Sequence, residues 1–553
     1  MGRVLHDGKG AIVLASCVVA LLALCACAPS RSSLFQISQH NDWGIDTSGY
    51  LIDVENEPDT VDFQCTSLYY IVADNVFDRL VTTEKGADGE TRIAPSLAES
   101  WVVSDDGTRY TFRLREGVTF SNGSALTASD VLYTFTRLLT HPNARNQDIV
   151  EGIKGAGELE RGEADKLAGF DILDDLTFTI TLEQPFEAFL ACLSMSGASI
   201  MDEQTTEEVG DRFGTDPDAM VGTGPFIFKQ WNHGEGMLFE ANEACWEGAP
   251  RCAGIDIRFE RDAENVQMMF EEGKLDILDL DEVPDYADYY IHGDIYQDKL
   301  LEVQRVGICY IALNESVPPL NDVRVRKALQ LSLDRETLLD VVYGSRGEVE
   351  NGIFPHGLYG YNADLAAIPF DQEQARTLLS EAGYPNGFDL DVSVRSSSTQ
   401  QDLTLLRLAA EMWGEVGIRA SIRVMSEDEF MSRRNNGELA CYTATWTADY
   451  DDPDNFIYAF FGDDERTRSR SLCYGDKGVM ARVRAARSIT DPVERIREYQ
   501  GLEKKIVQDD AAWIPLFSRN RQYVMSDRAV GNPAAWNGLM TRYYCNVAIL
   551  GDT

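Results

Sequence analysis

The sequence has little positive charge. Lysine and arginine together number 49, against 91 aspartate and glutamate residues, so the 553-residue chain carries a formal net charge of −42. No run rich in lysine or arginine offsets this excess, and an acidic surface is repelled by nucleic-acid phosphates and by anionic lipid headgroups. The composition therefore argues against nucleic acid as a partner and favours a monomer in solution.

The sequence motifs of several common enzyme classes are also missing. The chain has no GxSxG nucleophile elbow, no HExxH metal motif and no GxxxxGK[ST] phosphate loop. Its six histidines include no pair at ligand spacing, and no CxxC occurs. Gly222-Thr223-Gly224 lacks the third glycine of a dinucleotide fingerprint and is interpreted as a structural turn before a strand at Phe226. We therefore expect no catalysis, no metal and no cofactor.

The uncharged run at the N-terminus, from Ala11 to Leu24, is too short to span a bilayer but suits the core of a signal peptide. The run leads into Leu24-Cys25-Ala26-Cys27, which resembles the lipobox of bacterial lipoproteins. That resemblance implies cleavage before Cys27, acylation of its thiol and anchoring at the outer face of the cytoplasmic membrane. The alternative is an ordinary secretory signal with an incidental cysteine. Both interpretations predict export.

Eight of the eleven cysteines follow Cys27 in the sequence. An even number of cysteines outside the cytoplasm permits disulfides, but eight allow 105 full pairings. Cys245 and Cys252 lie close together in CWEGAPRC and are the one pair whose spacing suggests a small disulfide loop.

Hydrophobic periodicity predicts a mixed α/β protein with roughly three or four globular units. Tyr110–Leu114 alternates apolar and polar residues, as expected for a strand with one buried face. Thr127 and Asp130 form a capping-box start for a helix. Further helices are predicted from Asp371 to Gly383 and over Asp322–Leu333. Strands and helices alternate along the whole chain, which indicates mixed architecture.

The segment WTADYDDPDNF, which begins at Trp446, places four aspartates in six positions. It lacks the glycine and the glutamate of an EF-hand calcium loop, and a glycosidase carboxylate pair needs a separation that sequence does not show. Asp451, Asp452 and Asp454 are interpreted as a solvated turn. Asp449 follows Tyr442–Trp446, a predicted buried strand, so we expect it at the edge of a cleft with a cationic partner.

Four stretches carry a resemblance to a known family, and two shorter ones support it. They are residues 94–139 (APSLAESWVVSDDGTRYTFRLREGVTFSNGSALTASDVLYTFTRLL), 221–231 (VGTGPFIFKQW), 313–347 (LNESVPPLNDVRVRKALQLSLDRETLLDVVYGSRG) and WTADYDDPDNF, with EPDTVDFQ and AAWIPLFS. Together they resemble the extracytoplasmic solute-binding proteins of bacterial ABC importers, in the oligopeptide- and dipeptide-binding family (solute-binding protein family 5). The resemblance covers nearly all of the predicted mature chain.

The resemblance implies a fold like that of type II periplasmic binding proteins, with two main lobes closing over a cleft and an extra lobe. After a signal peptide over residues 1–26, lobe I takes residues 27–82, 189–305 and 511–553. Lobe II takes residues 83–188, and lobe III takes residues 306–510.

The resemblance also implies a ligand site around the aspartate segment. In peptide-binding members, the aspartate of W-x-x-D receives the α-ammonium group of the peptide, and Asp449 holds that position here. Thr445, Trp446 and Thr447 are expected to pair with an extended peptide backbone, and Trp446 is expected to cover ligand side chains. Some relatives have glycine at the position of Thr445.

The opposite side of the cleft is expected to supply Tyr69 or Tyr70. Arg395 falls near the place where dipeptide-specific relatives carry an arginine for the ligand carboxylate, which suits the fork of a guanidinium group. The spacing around Arg395 departs from that pattern, and an ordinary surface arginine is the alternative.

The resemblance implies a lipid-tethered binding protein that delivers peptides to a membrane permease and its ATPase without catalysing a reaction. Two alternatives stay open at this point. The same fold can bind a non-peptide solute such as a nickel complex, haem, glutathione, an opine or a sugar. A sensor or adhesin can also retain the fold without transport.

Overall fold

The computed structural model describes residues 44–66, 69–85, 91–344, 346–534 and 542–551. The predicted signal peptide and the lipid-bearing Cys27 lie outside these residues, so both stay predictions. No helix within the described ranges is both long and apolar enough to cross a membrane.

The described residues form 21 strands. They are β1 (Tyr50–Glu55), β2 (Val81–Lys85), β3 (Thr91–Pro95), β4 (Ala98–Val103), β5 (Arg109–Leu114), β6 (Phe170–Asp174), β7 (Thr177–Thr181), β8 (Phe226–Asn232), β9 (Gly236–Ala241), β10 (Gly254–Phe259), β11 (Ile277–Asp279), β12 (Leu300–Gln304), β13 (Gly307–Leu313), β14 (Glu348–Val349), β15 (Asp389–Arg395), β16 (Arg419–Met425), β17 (Cys441–Thr447), β18 (Trp513–Ser518), β19 (Asn520–Met525), β20 (Ala529–Gly531) and β21 (Val547–Ile549).

Sixteen α-helices occur in the same described ranges. They are α1 (Ile71–Val76), α2 (Ala128–Thr140), α3 (Ala156–Glu160), α4 (Phe189–Cys192), α5 (Glu203–Val209), α6 (Ala263–Glu271), α7 (Ala287–His292), α8 (Val323–Leu331), α9 (Arg335–Tyr343), α10 (Gln372–Glu381), α11 (Gln400–Glu415), α12 (Glu427–Asn435), α13 (Pro453–Phe461), α14 (Asp464–Ser469), α15 (Lys477–Ala486) and α16 (Pro492–Glu503).

The lobe names below refer to the predicted division of the chain. The residues predicted as lobe I contain two sheets built from distant parts of the chain. The first has the order β1-β10-β9-β8, with β1 parallel to β10, and the second has the order β11-β19-β12. The turn before β8 brings two glycines against the end of α1. The amide of Gly224 donates to the carbonyl of Val76 at 2.8 Å, and a Cβ on Gly222 would lie 2.0 Å from that same oxygen. Only glycine allows this approach, which confirms the interpretation of a structural turn.

Lobe II is an antiparallel sheet, β4-β5-β7-β6, whose core also contains apolar side chains of α2. The predicted strand appears as β5, and the capping box is confirmed, since the amide of Thr127 donates to Asp130 Oδ2 at 2.8 Å. The core of this lobe takes in Leu80 and reaches Ile200. The packing therefore extends beyond the boundaries predicted at residues 83 and 188.

Lobe III contains a six-stranded mixed sheet, β14-β18-β13-β17-β15-β16, between two apolar cores. All six residues of β18 are buried, and β18 pairs with β13 and β14. β18, which lies beyond the boundary predicted at residue 510, thus pairs within the sheet of the predicted lobe III, and the boundary itself stays a prediction. Asp322 and Asp371 cap α8 and α10 as predicted, and each helix ends two residues before its predicted end.

The eight described cysteines are all free thiols, so the suggested Cys245–Cys252 disulfide is wrong. Cys245 directs its Sγ toward the carbonyl of Thr223 at 3.9 Å. Cys252 packs into the apolar core of lobe I instead. The two thiols thus have different surroundings despite their closeness in the sequence.

Candidate ligand-binding cleft

A cavity of about 80 Å³ separates lobe II from lobe III. Three residues of lobe II and nine of lobe III line it, among the residues that the structure describes. The charged lining consists of three acids and three arginines. These are Asp148, Glu151, Asp449, Arg466, Arg470 and Arg487. The cavity therefore presents both signs of charge within a small volume.

Asp449 is placed by the loop that joins β17 to α13. Its amide donates to Asn455 Oδ1 at 3.0 Å, and Asn455 Nδ2 donates to Asp449 Oδ2 at 3.0 Å. Trp446 Nε1 donates to the same Asn455 Oδ1 at 3.2 Å. One side-chain amide thus holds both residues of W-x-x-D. Asp449 Oδ1 receives no hydrogen bond from the described residues and can accept one from a ligand.

Burial raises the pKa of the Asp449 carboxyl, while the hydrogen bond from Asn455 and the charge of Arg470 act in the opposite direction. The half-buried guanidinium of Arg470 lies 4.5 Å from the ring centre of Trp446 and 4.6 Å from that of Phe460. No carboxylate of the described residues comes within ion-pair distance of Arg470, so its charge is held by aromatic faces alone. Arg470 does not form an ion pair with Asp449, so the cationic partner expected for Asp449, the ammonium group of a ligand, stays a prediction.

Two further acids face Asp449 from lobe II. Asp148 lies in the short 3-10 turn Gln147–Ile149, where its side chain stays accessible to solvent. Crowding by the surrounding protein, followed by the negative charge of Asp449, raises its pKa to about 6. Glu151 lies 3.7 Å from Arg466 and 3.8 Å from Arg487. These contacts join lobe II to lobe III across the cavity, whereas Asp148 and Asp449 repel each other when both are ionised.

Asp148 predicts a specific dependence of stability on pH. A carboxyl whose folded pKa exceeds its unfolded value of about 3.9 favours the folded state at low pH, and this contribution is lost as pH rises from about 4 to 6. We expect Asp148→Asn to unfold at a higher temperature than the unliganded wild type at pH 7 and to lose that advantage at pH 4. Asp165→Asn, at an exposed position of the same lobe that does not belong to the cavity lining, is the control. Equal differences at both pH values would contradict the assignment.

The strand that leads to Asp449 has an open edge. β17 pairs with β13 along its whole length, from Cys441 to Thr447. On the other side β15 pairs only with Cys441 and Tyr442, and no described strand pairs there with Thr445–Thr447. Thr445 is exposed and Thr447 half-buried. These backbone groups can accept an extended chain as an added strand.

The structure brings only part of the predicted site together. Asp449 and Trp446 line the cavity, and Thr445 and Thr447 lie on the adjoining strand edge. Arg395 is not part of the lining: its side chain is 43% exposed and lies 3.3 Å from Glu427. This placement fits the alternative of a surface arginine, and a role in binding carboxylate stays a prediction.

Neither Tyr69 nor Tyr70 belongs to the described lining of the cavity. The charge of Asp449 contributes to a raised pKa of Tyr70, whose hydroxyl donates to the carbonyl of Thr66 at 3.0 Å. A contact between Tyr69 and a ligand stays a prediction.

The interpretation of Asp452 and Asp454 as a solvated turn is wrong, because the two residues are only 4% and 0% exposed. Arg495 donates to both oxygens of Asp452 at 2.6 and 2.8 Å. Asp454 accepts from the hydroxyl of Tyr499 at 2.8 Å and from Arg487 at 3.2 Å. Asp452 also caps α13, which starts at Pro453. These aspartates therefore fix the helix that carries Asn455.

Several residues of the cavity were not identified from the sequence, namely Asp148, Glu151, Arg466, Arg470 and Arg487. One signal was available. The run RTRSR, from Arg466 to Arg470, concentrates positive charge in a strongly acidic chain shortly after the aspartate segment. Asp148 carries no comparable signal, because its relation to Asp449 depends on two lobes meeting.

Comparisons with known proteins agree with this architecture. The family model for bacterial extracellular solute-binding proteins, family 5 (middle), matches residues 92–468. The haem-binding protein A of Haemophilus influenzae is 29% identical over 81% of this chain and 82% of its own length. The dipeptide-binding protein of Escherichia coli is 28% identical over 79% of this chain and 82% of its own length.

A solved structure, that of HbpA2 from Haemophilus parasuis, superposes with a TM-score of 0.74 at 26% identity and covers 91% of this chain and 100% of its own. The similarity confirms the predicted mixed α/β fold of type II periplasmic binding proteins. The matching relatives are binding proteins, in keeping with the expectation that no reaction is catalysed. The chain belongs to the bacterial extracellular solute-binding proteins of family 5.

Proposed function

We propose that this protein is the substrate-binding lipoprotein of an ABC importer and that it captures peptides by their free N-terminal amine. The observation that carries the proposal is the position of Asp449, whose Oδ1 is available at a cavity between two lobes, next to the open edge of β17. The ammonium group of a peptide can bind this carboxylate while its backbone pairs with Thr445–Thr447. Such pairing is indifferent to ligand side chains.

The size and charge of the cavity favour a short zwitterionic ligand. A volume of about 80 Å³ accommodates roughly five to eight water-sized spheres, which suits the first residues of a peptide. Arg470 can meet a ligand carboxylate with its planar fork, since no protein carboxylate occupies it.

Ligand binding also favours closure of the lobes in this proposal. An ammonium group between Asp449 and Asp148 removes the repulsion between these two carboxylates, which belong to opposite lobes. The contacts of Glu151 with Arg466 and Arg487 then add to closure. A ligand that stabilises the closed state in this way shifts the population toward it, and the closed form is delivered to the permease and ATPase. Acylated Cys27 would keep the protein at the outer face of the cytoplasmic membrane, where the permease lies.

The test combines native mass spectrometry with calorimetry. The freshly purified protein is first examined for a co-purified ligand, which we expect to carry a free amine. A dipeptide and a tripeptide are then titrated with a free or acetylated N-terminus and with a free or amidated C-terminus. We expect acetylation to weaken binding at least about tenfold, or about 1.4 kcal/mol.

Amidation separates the role of the ligand carboxylate from that of the amine. A large effect for the dipeptide and a small one for the tripeptide would indicate a cleft built for the shorter ligand. Equal affinity of the free and acetylated peptides, or a co-purified ligand without an amine, would refute capture by the amine. Such a result would favour a non-peptide solute or a sensor that has kept the fold.

A further inference from the structure

A second cluster of chemically competent side chains lies away from the cavity, where a loop of lobe I meets the C-terminal end of α2. Cys65 Sγ lies 3.2 Å from His141 Nδ1 and 3.3 Å from Asp62 Oδ2. The three ligand atoms all lie within 4.8 Å of one another. We propose that Asp62, Cys65 and His141 form a binding site for a divalent metal ion of the zinc type.

The distances are close to those that such an ion requires. With Zn–S near 2.3 Å and Zn–N or Zn–O near 2.0–2.1 Å, two ligands of a tetrahedral site lie about 3.5 Å apart. The observed separations of 3.2 and 3.3 Å need a small outward movement, and the third separation, between His141 and Asp62, lies within 4.8 Å. His141 Nδ1 would exchange the hydrogen bond that it accepts from the amide of Asn143 at 3.3 Å for the bond to the metal. Cys65 and His141 are half-buried, so a water molecule can reach the fourth position. Thiolate, imidazole and carboxylate together favour zinc over calcium or magnesium, which take oxygen ligands.

The ligands are already held in place by their neighbours. The amide of Cys65 donates to the carbonyl of Asp62 at 2.9 Å, and that of Gln64 donates to Asp62 Oδ1 at 3.0 Å. The amide of His141 donates to the carbonyl of Arg137 at 2.8 Å, which fixes the end of α2. Supporting contacts of this kind orient the residues that bind a metal.

The guanidinium of Arg137 lies 2.6 Å from Asp62 Oδ2, so the same carboxylate would have to bind both the arginine and the metal ion. A carboxylate offers about four lone-pair positions, so it can accept from arginine and bind a metal at the same time. A dication bound by one thiolate and one carboxylate forms a neutral group. Because Cys65 is a neutral thiol without the metal, exchanging its proton for the dication adds one positive charge beside Arg137, which lowers the affinity of the site.

Metal binding is coupled to loss of the thiol proton. The thiolate is the form of cysteine that binds a metal ion. When the ion binds, the S–H bond breaks, the proton passes to solvent and the sulfur forms the bond to the metal. No oxidant or reductant is involved.

The site would connect lobe I to lobe II beside the cleft. The loop that contains Cys65 continues through Thr66 toward Tyr70, and Asn146 of lobe II donates to the carbonyls of Phe63 and Thr66 at 3.1 Å. A metal ion would add a second link between the same two parts of the chain. Sequence spacing does not reveal this site, because 76 positions separate Cys65 from His141.

The test uses the whole mature protein, reduced and stripped of metal with a chelator, and then titrated with Co²⁺ and Zn²⁺. We expect one ion per chain, a thiolate-to-cobalt charge-transfer band and a higher unfolding temperature with Zn²⁺. Cys65→Ser should abolish the band, and Cys65→Ser and His141→Gln should each weaken Zn²⁺ binding more than tenfold. Cys473→Ser, which removes another half-buried thiol, should behave as the wild type.

Circular dichroism of each variant shows whether it is folded. If Cys65→Ser does not fold, His141→Gln provides the second measurement. Absence of the band in the wild-type protein would overturn the proposal, and so would an unchanged Zn²⁺ affinity in a folded variant at either position. The measurement needs no peptide, so its outcome is independent of the proposed transport function.

Discussion

Replacing Asp449 with asparagine is expected to weaken the binding of a peptide with a free amine by at least about tenfold, or about 1.4 kcal/mol. The substitution keeps the shape of the side chain and removes the charge that receives the ammonium group. Charge-assisted hydrogen bonds contribute about 1.5–3 kcal/mol each, so the loss can exceed this lower bound. Isothermal titration calorimetry of the purified variant measures the change directly.

Two comparisons make this result specific. Asp428→Asn removes a charge from an exposed position of α12 and should leave the affinity unchanged. An acetylated peptide, already weak with the wild type, should lose little further affinity in Asp449→Asn, because the ammonium partner is absent from both. Unchanged affinity of the free peptide in the Asp449 variant would remove this residue from the site.

Replacing Arg495 with methionine is expected to lower the free energy of unfolding by about 3–5 kcal/mol. Arg495 is 1% exposed and donates to both oxygens of Asp452, so the substitution leaves a buried carboxylate without its cation. Urea denaturation of the unliganded protein measures the loss. The matched control is Arg482→Met, whose partner Glu498 lies at the surface, and we expect it to cost less than about 1 kcal/mol.

A double variant distinguishes loss of the ion pair from loss of packing. Asp452→Asn combined with Arg495→Met removes both charges, so it should be less destabilised than the sum of the two single variants. Additive effects, or a loss for Arg495→Met no larger than for Arg482→Met, would show that the pair contributes little to stability.

The parts of the fold that could be predicted depend on residues close together in the sequence. The capping box at Thr127 and Asp130 and the caps at Asp322 and Asp371 are hydrogen bonds over two or three positions. The alternation of apolar and polar residues in Tyr110–Leu114 likewise depends only on neighbouring positions, and it predicts a strand with one buried face. For Asp449, a strand pattern and a family motif together indicated the edge of a cleft.

The parts that could not be predicted depend on distant residues. Asp452 appears as a solvated acid because Arg495, its partner, lies 43 positions away on α16. Cysteine spacing likewise suggested a loop between Cys245 and Cys252, although packing of lobe I separates their surroundings. Asp148 belongs to the site only because lobe II packs against lobe III. Hydrophobic periodicity within one segment does not predict such a contact between lobes.

The incomplete pairing of β17 also affects the tendency of this protein to aggregate. A strand with unsatisfied backbone groups is normally a template for neighbouring molecules and a starting point for aggregation. Here Thr445–Thr447 lead directly to Asp449, which lines a narrow gap between two folded lobes. A single flexible chain can enter such a gap, whereas the rim of another folded molecule is too bulky. The recessed position thus leaves this strand edge open to a flexible chain while it protects the edge from pairing with a second folded molecule.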